Sequence, residues 1–380
     1  NYHISMKKIL FRKLLFDCLL VFFMFLVGVS LIIWVFQAVN FLDIIIDDGR
    51  NANVYFTYTL LNLPKIIGRI IPFAIFFGFT YILIRYEMNN ELIIFWNTGV
   101  NKIELINFFL RISFLLTLIQ IIFLALIVPK SQELARSLIK SSDIDFLEDL
   151  IKPKKFIDTI KGLTIYTEEK NKDGTLKNIY IKKSSIDGNF QITFAKKGEF
   201  VNKIKDRVLV LYNGQTLNSN NGKITNFSFS QSDFGMSEMN THTTTANKIQ
   251  EISSRNLFIC LKFIDNKKQM ENMHNCTVQN LRNIYQEIFK RLIKPMYIPS
   301  LILIALFLIM KSKEDIAYTK FKFLIFLFGL VIIVLSESSS GYVSSIYFEN
   351  IKFILLPITI LVFLYINFIY QLKFKFKNLS

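Results

Sequence analysis

The sequence predicts an α-helical membrane protein with six transmembrane helices, arranged as three plus three, and an inserted all-β, jelly-roll-like domain. Two observations carry this. Apolar residues gather in runs long enough to cross a bilayer, where every backbone amide must be satisfied within its own segment. Between the third and fourth runs the chain turns polar, and its hydrophobic period drops to two, the spacing of a half-buried strand.

The first run, about Leu14–Phe36, is too long for a signal peptide and no small-residue cleavage site follows it, so it reads as a retained span. The second, about Phe56–Ile84, is unusual in holding Pro64, Lys65, Arg69 and Pro72. The third, about Leu105–Val128, is expected to end at Pro129. A helical lead-in from Leu281 precedes the fourth, about Met296–Met310. The fifth begins near Phe323 and turns polar at Ser336-Glu337-Ser338-Ser339-Ser340, and the sixth covers about Phe353–Tyr370. Domain boundaries follow: 1–129 for helices one to three, 130–280 for the polar domain, and 281–380 for helices four to six.

Within the polar domain, residues 130–160 read as helical. The β-rich core is expected at about 162–239, with strands at Leu163–Thr167, Asn178–Lys182, Phe190–Ala195, Arg207–Tyr212 and Ile224–Phe229. Turns are expected at Asp173-Gly174, Asp187-Gly188, Asn213-Gly214 and Asn221-Gly222, because Asx-Gly supplies the positive φ of tight hairpins. Residues 240–280 are polar, with part expected to be helix.

The net charge is +16. With both termini cytoplasmic, the inner segments 6–13, 85–104, 311–322 and 373–380 hold 13 Lys/Arg, against four on the outer side (Arg50, Lys65, Arg69 and Lys352). Basic residues collect at cytoplasmic helix ends, so the charge needs no nucleic-acid partner. The expected location is a cell inner membrane, with residues 130–290 periplasmic.

Catalytic constellations are missing. The sequence holds no phosphate-binding Gly-x-x-x-x-Gly-Lys loop, no nucleophile elbow and no Cys/His ligand spacing. No cofactor, metal or catalytic residue is expected, and any ATP hydrolysis belongs to a separate chain. Cys260 and Cys276 allow a disulfide if exported, but two buried thiols are the preferred expectation.

Leu63-Pro64-Lys65-Ile66-Ile67-Gly68-Arg69-Ile70-Ile71-Pro72, followed by Asn90-Glu91-Leu92 and Gly99, resembles the lipopolysaccharide-export permeases LptF and LptG. Trp34-Val35-Phe36-Gln37, Leu163-Thr164-Ile165-Tyr166 and Leu211-Tyr212-Asn213-Gly214 are more similar to LptF. The resemblance implies a permease subunit of an ABC transporter that extracts lipopolysaccharide from the inner membrane and passes it towards the outer membrane. Its implied partners are an LptG-like second permease, an LptB-like ATPase dimer, an LptC-like periplasmic protein and membrane lipids. Two other readings compete: a membrane-anchored periplasmic sensor or assembly factor, and a mechanotransmitting ABC protein without transport.

The resemblance makes Glu91, Leu92, Phe95, Trp96 and Gly99 an ATPase-coupling group on a short helix near 90–98. The bland alternative for Glu91 is a first-turn acid behind an Asn90 cap. Lys65 and Arg69 share a helix face and, with Arg50, are candidates for binding a lipid headgroup; snorkelling to the interface is the alternative.

Overall fold

In the computed structural model the described residues are 2–42, 52–160, 163–171, 174–184, 189–202, 207–220, 223–234, 248–265 and 276–372. The chain divides into two compact units, one of Asn1–Val35, Asn62–Glu133 and Lys248–Ser380, the other of Phe36–Leu61 and Leu134–Asn247. The helices are α1 (Tyr2–Asn40), α2 (Ala52–Met88), α3 (Glu91–Asn97), α4 (Lys102–Ile122), α5 (Val128–Leu150), α6 (Ser254–Asp265), α7 (Leu281–Leu292), α8 (Ile298–Leu306), α9 (Tyr318–Ser339) and α10 (Tyr347–Tyr370). Among the described residues, five helices are long and apolar enough to cross a membrane. They become six if α7 and α8 count as one span, broken by 42° at a 3₁₀ turn, Lys294–Tyr297. Pro295 accounts for the break, because it has no N–H to donate to the Arg291 carbonyl one turn back.

The helical unit packs around α8, whose nine residues are all buried. Small residues let its neighbours close in. A Cβ at Gly78 would sit 3.0 Å from the backbone of Phe22, and one at Gly329 would sit 2.0 Å from the Phe76 ring. Glycine at such contacts suits a membrane bundle, where close van der Waals packing replaces the hydrophobic drive.

Pro129 does not end the third span. The helix runs through it into α5, by way of a π-helical turn at Phe123–Ile127. Proline frees the carbonyl four residues back, here Ala125, and that oxygen accepts the Ser254 hydroxyl at 2.6 Å. Pro72 is handled alike: the Gly68 carbonyl accepts the Gln120 amide at 3.2 Å.

The other unit holds a six-stranded antiparallel sheet in sequential order: β1 (Ile157–Ile160), β2 (Leu163–Lys170), β3 (Leu176–Ser184), β4 (Phe190–Asn202), β5 (Arg207–Asn220) and β6 (Lys223–Phe234). β1 falls inside the stretch expected to be helical, where it pairs Ile157 with Ile165. Gly174, at φ 79, closes the β2–β3 connection as expected. The Asp187-Gly188 and Asn221-Gly222 turns and residue 173 lie outside the described residues.

Asn213-Gly214 is not a hairpin turn but the interior of β5. The positive φ is present, 51° at Asn213, and Asn178 on β3 has 49°. Both positions fall opposite Lys196, where the ladder skips a pair on each side of β4. Such a residue breaks the two-residue alternation, so Leu176 and Ile179, three apart, both enter the core. Gly214 has no side chain because a Cβ there would lie 2.3 Å from the Phe194 carbonyl oxygen.

Cys260 and Cys276 form a disulfide, with Cα atoms 5.7 Å apart, which corrects the expectation of two thiols. The cause is packing: Cys260 and Leu257 on α6 bury against Ile284 of α7, with Cys276 packed alongside.

Candidate functional site

Lys65 and Arg69 stand one turn apart on α2, Lys65 half-buried and Arg69 exposed. At 1.5 Å per residue, Lys65 and Arg69 lie roughly 35 and 28 Å from the Met88 end of their helix, about one hydrocarbon thickness away. That is about the length of one span from the Met88 end, and charge near the end of a span costs less than charge at its centre.

The tertiary fold adds cations that the sequence reading left out. Lys65 lies within electrostatic range of Arg69, Lys248, Glu251 and Glu287. Lys294 lies within range of Arg69, Lys290 and Glu337. Among the described residues the charged cluster so defined, which forms the candidate mouth, holds six cations (Lys65, Arg69, Lys248, Lys290, Arg291 and Lys294) and three acids (Glu251, Glu287 and Glu337). Lys290 and Lys294 sit in and just beyond the amphipathic lead-in to the fourth span. The available signal was their spacing of four at a span boundary.

These charges have different occupations. Arg291, 3% exposed, is fully engaged. It donates to Glu287 Oε1 at 3.0 Å, to the Ile252 carbonyl and Ser254 Oγ at 2.9 Å, and to the Gln250 carbonyl at 2.9 Å. Its role is to hold the segment before α6 against α7. Lys294 is paired with Glu337. Arg69 and Lys290 are exposed and carry no ion pair among the described residues. Arg50, the third headgroup candidate, lies outside the described residues.

Of the residues expected to couple to an ATPase, Glu91, Leu92, Phe95 and Trp96 lie on α3, seven residues long, at the Met88 end of α2, and Gly99 follows just beyond it. Its last turn closes as a Schellman motif: the Gly99 N–H reaches the Trp96 carbonyl at 3.0 Å, and the Val100 N–H reaches Phe95 at 3.0 Å. Gly99 has φ 74, which explains the glycine locally. Asn90 is not the expected side-chain cap. It adopts φ 62 and makes no capping bond, while the Asn89 amide donates to Glu91 Oε1 at 3.1 Å.

The five residues of this group divide. Leu92 and Phe95 are 1% and 2% exposed and belong to the chain's own core. Phe95 packs edge-on to Tyr86, whose hydroxyl donates to Asp17 of α1. Trp96 is half-buried beneath the Lys102 ammonium, 5.3 Å from its ring. The outward residues are instead Ile93 and Ile94, 46% and 52% exposed, beside the half-buried Glu91. Helical phase decides this: on a seven-residue helix anchored through positions 92 and 95, positions 93 and 94 face away. The ends beside α3 are tied down, since the Lys313 backbone N–H donates to Glu87 at 2.8 Å and Lys7 pairs with Glu104 at 3.0 Å.

Comparison with known proteins gives two findings. A family model described as the lipopolysaccharide export system permease LptF/LptG matches residues 12–371. An uncharacterised protein of Rickettsia prowazekii (strain Madrid E) is 23% identical over 171 residues, which cover 45% of this chain and 47% of that protein. The chain thus spans about half the length of that curated relative.

Proposed function

The chain belongs to the LptF/LptG family of lipopolysaccharide export permeases, and from that premise we propose that it is one half of an ABC transporter that lifts lipopolysaccharide out of an inner membrane and passes it towards the outer membrane. It is a multi-pass membrane protein and a transport component. The second permease, the ATPase dimer that supplies hydrolysis and the LptC-like periplasmic protein are proposed partners. In this reading both termini and α3 are cytoplasmic, and the β domain is periplasmic.

The observation that carries the site assignment is the mouth itself. Arg69 and Lys290, from helices far apart in the chain, are exposed, lie within electrostatic range of Lys294 and carry no ion pair among the described residues, with Lys65 beside Arg69. A phosphorylated glycolipid supplies the missing anion, and the Arg guanidinium offers it two parallel donors. At the other end of α2, Glu91, Ile93, Ile94 and Trp96 form the ATPase-facing surface, with Leu92, Phe95 and Gly99 holding its shape.

The test is photo-crosslinking of lipopolysaccharide to the purified complex. Lys65→Gln with Arg69→Gln should reduce crosslinking several-fold, and high salt should blunt the loss only partly at a half-buried site. Undiminished crosslinking by the double variant would reject the headgroup role.

A further inference from the structure

Lys294 stands at the break of the fourth span, its side chain 10% exposed and its ammonium on the Glu337 carboxylate of α9. Glu337 is different, with 47% of its side chain exposed. Around it, the hydroxyls of Ser336 and Ser339 on α9 and of Ser340 just beyond it donate to carbonyls of α9. The Glu337 carboxylate is thus the charged group on this stretch that reaches across. Arg69 and Lys290 lie within electrostatic range of Lys294, so the buried ammonium has two further cations near it and the Glu337 carboxylate as its ion-pair partner.

A buried ammonium needs an anion, because stripping away its partner leaves an uncompensated charge. The identity of that anion is not constrained. A phosphate ester carries nearly two charges and three acceptor oxygens, enough to engage Lys294, Arg69 and Lys290 together. Glu337 lies in the polar last turn of α9, at the end of the span and nearly half exposed, so its release leaves the carboxylate where water can reach it and not stranded in the apolar bundle. Exchange of one anion for the other is therefore close to balanced for the protein.

We propose that Lys294 is a binding residue for a phosphate of the lipid cargo and that Glu337 is its resident counter-ion, displaced when the phosphate arrives. The displacement unties α9 from the kinked fourth span, so cargo arrival is felt as a loosened helix pair. This inference rests on the reading of Arg69 and its neighbours as an anion site.

The test uses the full permease complex in detergent, with diphosphorylated lipid A and its dephosphorylated form as probes. Glu337→Gln removes the competitor and should tighten the phosphorylated lipid roughly three- to tenfold, leaving the dephosphorylated lipid unchanged. Lys294→Gln should weaken the phosphorylated lipid by about tenfold. The swap of Lys294→Glu with Glu337→Lys rebuilds the pair, so thermal stability should return while lipid affinity stays weak. Recovery of affinity in the swap would make the pair structural and overturn the proposal. Unchanged or weaker lipid binding in Glu337→Gln, with Arg69→Gln still impaired, would overturn the exchange while sparing the anion site. Normal binding by Arg69→Gln would remove the anion site and the proposal with it. Millimolar inorganic phosphate alone should not separate the two helices in a distance measurement between labels on them. If it does, the occupant is free phosphate and the assignment to lipid cargo fails.

Discussion

Gln120 of α4 donates its side-chain amide to the main-chain carbonyl of Gly68 on α2, the oxygen that Pro72 leaves without its helical partner. Gln120 is 1% exposed, so the bond forms where no water can replace it. The same arrangement recurs where Ser254 serves the Ala125 carbonyl freed by Pro129. In both cases a proline bends or re-phases a span and a polar side chain from another element satisfies the backbone, as lipid requires.

Gln120→Leu should therefore destabilise the chain by about 1–3 kcal/mol, the penalty of a buried carbonyl without a donor. Pro72→Ala restores the N–H, so the double variant should regain most of the loss. Thermal unfolding in detergent compares the four proteins. Equal losses with and without Pro72 would show that the amide acts otherwise.

Arg291 and Arg69 should separate by assay. Arg291→Met removes four donor contacts and should lower stability by about 3–5 kcal/mol, the usual consequence of breaking a buried charged network. Arg69→Gln, exposed and without an ion pair among the described residues, should leave the unfolding midpoint nearly unchanged while weakening lipopolysaccharide crosslinking. A midpoint drop in both variants would contradict this division.

On α3 the outward residues should control partner contact. Ile94→Asp is expected to fold and insert normally, yet to lose the co-purifying ATPase. Glu91→Ala should keep the complex and lower its lipid export. Phe95→Asp should fail earlier, as protein missing from the membrane fraction, because it places a charge in the core beside Tyr86. Co-purification with Ile94→Asp at the native level would move the docking surface elsewhere.

The Cys260–Cys276 bond should be visible as one thiol, Cys18, after denaturation without reductant, and three after reduction. Closing a loop of this size contributes about 3 kcal/mol in the chain-entropy account, so reduction should lower stability by that order. Alkylation of all three cysteines without reductant would show that the bond is not made.

The spans and the inserted β domain were legible because both follow from local pattern. Lipid demands a continuous apolar run, and a half-buried strand alternates with period two. The Asx-Gly signal was also real as chemistry, since Asn213 does take positive φ. The sequence could not say whether that backbone would reverse the chain or lie inside a continuous strand. That depended on β4 and β6 pairing on both sides of β5, which holds the strand straight through the position.

The sequence by itself determined the class of molecule, the place of its short helix and the presence of Lys65 and Arg69 on one helix face. Only the tertiary structure decided what those charges meet. Periodicity reports which residues share a face within one element, but electrostatics acts through space. Lys290, Lys294 and Glu337 reach the mouth because Pro295 breaks the fourth span and α9 packs against it. The same packing spends Arg291 on backbone carbonyls and a carboxylate while Arg69 stays exposed, a distinction that depends on neighbours far away in the chain.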